Sequence, residues 1–104
     1  MIFRRPRFAD VISRQLDLFV EENEELLRDC DAALERYNAA SREDPEELYG
    51  DYVDLVETGT EILADMRDRF AQTLDEAGAE DYERAFNRSV AKTLPRFSLE
   101  LENR

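Results

Sequence analysis

Over residues 7–38 apolar side chains recur at intervals of three and four. Phe8, Ile12, Phe19, Leu26, Cys30, Ala33 and Tyr37 fall within about 50° of one direction on a helical wheel, and Val11, Leu16 and Leu34 widen the stripe. Asp17, Glu21, Glu24, Arg28 and Glu35 lie opposite. The spacing predicts one long amphipathic helix, with Pro6 in its first turn, where a missing N–H breaks no hydrogen bond.

Asp44-Pro45-Glu46-Glu47 then reads as an N-cap, a proline at the first helical position and acids facing the helix dipole, so a second helix is predicted over 45–77. Its stripe is Leu48, Tyr52, Leu55, Val56, Gly59, Ile62, Leu63, Met66, Phe70 and Leu74, with Asp51, Asp54, Glu57, Glu61, Asp65 and Asp68 on the other side. Gly78 is expected to end it as a left-handed cap. Tyr82, Phe86, Ser89, Val90 and Thr93 give a shorter third helix over 80–93, stopped by the residue before Pro95. Beyond it, Phe97, Leu99 and Leu101 alternate with polar residues, which predicts an extended tail over 95–104 or a short strand.

The expected fold is therefore all-α and a single helical domain over 1–104: a long antiparallel hairpin plus a shorter third helix. Two helices of about 30 residues would each run about 45–50 Å, and a third helix half as long covers only part of their apolar faces. A second copy of the chain is expected to complete the bundle.

Charge narrows the choice of partner. Acids outnumber bases 26 to 14, for a net charge of −12, but residues 15–83 hold 23 acids against 5 bases while the two ends together are basic. Such a body repels nucleic acid and anionic membranes. One lysine against thirteen arginines fits a high-GC genome, and the carboxylate-rich surface fits salt adaptation. The single cysteine cannot form an internal disulfide, no stretch approaches the length of a membrane span, and residues 1–8 lack the apolar run of a secretory signal, so the cytoplasm is the expected compartment.

The chemistry offered is sparse. The chain has no histidine, the usual general base and commonest metal ligand near neutral pH. Cys30 falls on the core side of the first helix, where a thiol is inert. Carboxylates at Glu22 and Glu25 and at Glu57 and Glu61 are the candidate metal ligands, and Glu21-Glu22-Asn23-Glu24-Glu25 resembles the Glu-x-x-Glu half of the magnesium site of all-α nucleotide pyrophosphatases. The second half, Glu-x-x-Asp, is missing, since Thr60 follows Glu57 and Ala64 follows Glu61 at that spacing. The resemblance implies a metal-dependent nucleotide hydrolase as an alternative function. In length and topology the chain is also similar to small secreted helical-hairpin proteins with Trp-x-Gly in the turn, but Tyr49-Gly50 here has neither the tryptophan nor the spacer.

Four further features are candidate interaction sites. Asn23 lies within the first stripe, where a paired amide sets helix register and oligomer state. Gly59, at the centre of the second stripe, costs about 1 kcal/mol relative to alanine, which the close approach of another helix would offset. Arg84, Arg88, Lys92 and Arg96 recur every fourth residue as a basic ridge, with Arg4, Arg5, Arg7 and Arg14 near the other terminus. Bringing the two sets together would make a charge-segregated binding module for phosphate or an acidic protein. The first expectation remains a non-enzymatic, self-associating scaffold, adaptor or regulatory subunit without a cofactor.

Overall fold

The computed structural model describes residues 7–40 and 45–104. Pro6, Arg4, Arg5, the connection at 41–44 and the cap expected at Asp44 lie outside them. The described residues form five α-helices, α1 (Ala9–Glu22), α2 (Glu24–Ala39), α3 (Pro45–Ala71), α4 (Glu76–Thr93) and α5 (Ser98–Glu102), with a 3-10 turn over Pro95–Phe97 and no strand. None is long and apolar enough to cross a membrane.

Three expectations are corrected. The single helix over 7–38 is two, broken at Asn23 (φ −122°, ψ 31°), whose side-chain amide donates to the carbonyl of Phe19 at 2.9 Å alongside its own N–H at 3.0 Å. Asparagine competes in this way with the helical ladder, and four glutamates flank it. The break sends α1 against α4 while α2 lies along α3.

The second correction concerns Gly78, which has no positive φ and ends no helix. α3 stops at Ala71, six residues before the expected end, and α4 begins at Glu76 because Asp75 is its N-cap, accepting the N–H of Gly78 at 2.8 Å. The cap outcompetes glycine here because the helix dipole rewards a carboxylate at its N-terminus.

Third, the extended tail over 95–104 is helical. Phe97 and Leu101, four apart, are both fully buried, whereas Leu99 is 75% exposed. The apparent alternation was a helical i, i+4 pair with an outward leucine between its members.

Contacts join Tyr37 near the end of α2 to Tyr49 near the start of α3 (5.1 Å between rings), and Phe8 ahead of α1 to Phe70 near the end of α3 (6.3 Å). The core between them is one continuous cluster, centred on Phe19, Leu63, Tyr82, Phe86, Val90, Phe97 and Leu101. Phe8, at φ 71°, occupies the left-handed region that disfavours a side chain, held there by edge-on contact with Phe70 and Tyr82.

The C-terminal segment fills the space between α3 and α4. The ring of Phe97 crowds the place where a β-carbon on Gly59 would stand, and meets Phe19 edge-on at 5.7 Å. So the close approach at Gly59 comes from an aromatic ring. Arg67, 3% exposed, holds the end of this segment: its guanidinium donates to the main-chain oxygens of Leu101 (3.1 Å) and Arg104 (2.9 Å), to Asn87 Oδ1 (3.0 Å) and to Asp68 Oδ1 (2.9 Å). A buried cation is tolerated only when its donors are matched in this way, and the acceptors at a helix C-terminus suit it electrostatically.

The molecule is elongated, 56 × 29 × 22 Å, with a radius of gyration of 16.1 Å against about 13 Å for a compact domain of this length. Its accessible surface is 7526 Å², about a quarter more than the roughly 6,000 Å² expected for a compact monomer of its mass.

Candidate functional site

The carboxylates Glu22, Glu25, Glu57 and Glu61 are all exposed, and Glu61 faces Arg104 at 3.8 Å. Among the described residues no three His, Cys, Asp or Glu side chains converge on a point that could hold a metal ion. The structure therefore does not bring the two halves of the candidate metal set together.

The basic ridge is divided. Arg96 turns inward, pairing with Asp31 of α2 at 2.9 Å and lying 5.7 Å from the ring of Tyr52, so it ties the 3-10 turn to α2 and α3. Arg84 pairs with Asp81 one turn back, at 2.5 Å. Arg88 and Lys92 stay exposed, and among the described residues neither forms an ion pair. Arg7 joins them along one groove.

Three titratable groups are pushed from their ordinary values: Cys30 and Tyr82 in the core, and Arg96, which burial would lower but the hydrogen bond and charge of Asp31 hold above the usual guanidinium value. Burial raises the Cys30 thiol, an effect the neighbouring Arg96 only partly offsets, which keeps it protonated. Burial also raises Tyr82, to about 12, and its neutral hydroxyl donates to Gln15 Oε1 at 2.8 Å.

One depression, of about 420 Å³, lies between α2, α3 and the 3-10 turn around Leu27, Leu34 and Tyr52, and the others flank α1. On one flank, α1 and α3 stand apart around a depression of about 640 Å³, with Ile62, Met66 and Phe70 half-buried on its floor and Glu22, Asp65 and Arg69 among its polar residues. On the other flank, α1 and α4 border two adjoining depressions of about 440 and 460 Å³ that share Ala9, Ile12, Ser89 and Lys92 and so form one groove. Asn23 sits at the break that sets α1 between these flanks.

Sequence reasoning passed over Arg67 and Gln15. Arg67 carried a signal: with Thr60 and Leu63 it falls at the i, i+3, i+7 positions of the core face, where an unmatched cation would be expelled. Apart from the adjacent Asp68, its partners lie 20, 34 and 37 residues away, beyond any local pattern. No protein family, curated protein or solved structure matches the chain in sequence or fold.

Proposed function

We propose that the protein is a non-catalytic scaffold or adaptor of the cytoplasm that self-associates, its helical hairpin of α1–α2 against α3 completed by a second copy. The observation that carries this reading is the α1–α3 flank. Ile62, Met66 and Phe70 lie at i, i+4 and i+8 along α3, and the chain's own C-terminal segment covers the adjoining part of that helix, around Gly59 and Arg67, but leaves these three half-buried. An apolar strip left half-bare in this position favours association.

Charge makes the flank self-complementary. A two-fold interface sets each residue opposite its counterpart's neighbours, so Arg69 of one copy would meet Asp65 or Glu22 of the other, with the apolar floors between them. The excess accessible surface of the single chain is in keeping with a partner that covers part of it.

The test is light scattering after size exclusion, on the wild type and on Met66→Arg. The wild type is expected at twice the chain mass at micromolar concentration, and Met66→Arg at the single mass with its helical circular dichroism intact. A wild type that stays monomeric at that concentration overturns the reading.

A further inference from the structure

We propose that the groove between α1 and α4 is a docking site for an acidic amphipathic helix of a protein partner. Its floor is apolar and small-featured, made by Ala9, Ile12 and Leu16 of α1 and Ala85 of α4. Val20, 39% exposed, continues the apolar wall toward the break at Asn23. Arg7, Arg88 and Lys92 stand along the rim.

The cations identify the occupant's charge. In a chain with 26 acids, Arg88 and Lys92 find no carboxylate among the described residues, whereas Arg84 one turn before them is already paired with Asp81. Asp17 on the α1 wall is the groove's own acid, at the end away from Arg7 and Arg88. A partner bearing carboxylates along the α4 side and apolar residues beneath them would satisfy both features.

Shape identifies its conformation. From Ala9 to Val20 the α1 wall runs about 17 Å, three helical turns, and no strand edge is present among the described residues for an extended peptide to pair with. A helix with apolar residues at i, i+3, i+4 and i+7 fits a straight trough between two helices.

A second copy of this chain is a poor occupant. Groove against groove would set like cations face to face, and the half-buried strip of Ile62, Met66 and Phe70 on α3 belongs to the self-association surface on the other flank. Nucleic acid leaves the floor unused and meets the acidic body on every other side.

The test uses the full chain and a fluorescent synthetic helix of about 18 residues, long enough to cover the trough, with leucine on one face and glutamate on its flanks. Saturable micromolar binding is expected, weakening as salt rises. Arg88→Gln with Lys92→Gln should lower affinity about tenfold or more with an unchanged melting curve, as should replacing the peptide's leucines by serine. The proposal is overturned if no binding occurs up to about 100 μM, if the serine peptide binds equally well, or if an oligothymidine of equal charge binds as tightly. Because the self-association surface lies on the other side of α1, the mass of each sample by light scattering separates failure here from failure there.

Discussion

Gly59 and Gly50 are two helical glycines in α3 with opposite surroundings, and the same substitution should move stability in opposite directions. A β-carbon at Gly59 would overlap the Phe97 ring, itself pinned edge-on by Phe19, whereas nothing lies within 4 Å of one at Gly50. Gly59→Ala is expected to destabilise by about 1–2 kcal/mol despite its better helix propensity, because overpacking outweighs the gain. Gly50→Ala should stabilise by about 0.5–1 kcal/mol. Urea titrations of both variants check the signs. Tyr82 gives a second residue-level outcome. Its phenol is held near 12 in the fold and near 10 when unfolded, so the stability it contributes is intact below pH 10 and is lost as pH rises toward about 12. At about 1.4 kcal/mol per unit, the wild type should lose about 2–3 kcal/mol over that range that Tyr82→Phe does not lose. Melting both proteins from pH 9 to 12 checks it. That Gly59 needs a close neighbour was legible in the sequence, because glycine at the centre of a stripe is otherwise a defect. That the neighbour is Phe97 was not, since 38 residues separate them.

At the scale of elements, the position and type of α3 and α4 were legible because their apolar faces keep a helical period for several turns. The tail was not, because Phe97, Leu99 and Leu101 satisfy a period of two as well as the i, i+4 spacing of its buried pair. Only burial distinguishes the two. The break at Asn23 was hidden for the opposite reason: the stripe continues across it, so periodicity alone sees one helix. α5 is too short to persist by its own hydrogen bonds and depends on Arg67 and on the burial of Phe97 and Leu101. Arg67→Met should therefore cost about 2–4 kcal/mol, since Asn87 Oδ1 and the oxygen of Leu101 lose their donor in a buried place. Amide exchange in Ser98–Glu102 should rise ahead of exchange in α3, which mass spectrometry of the exchanged peptides resolves.

For the whole molecule, the C-terminal segment alters what the stripes demand. Phe19, which two helices alone would leave to a second copy, is fully buried within the chain, while Ile62 and Met66 remain half-covered. Charge segregation follows from the same packing, because Arg96 and Arg84 are neutralised locally and Arg88 and Lys92 are not. The sequence showed a basic ridge but not its division, which depends on Asp31 reaching Arg96 across 65 residues. The self-association surface is tested most directly by hydrogen exchange of the full chain at submicromolar and at high micromolar concentration. The account predicts that raising the concentration slows exchange in peptides covering residues 62–73 and 15–22 and leaves Ser98–Glu102 unchanged. Exchange that is identical at both concentrations, or slowed only outside that flank, would contradict it.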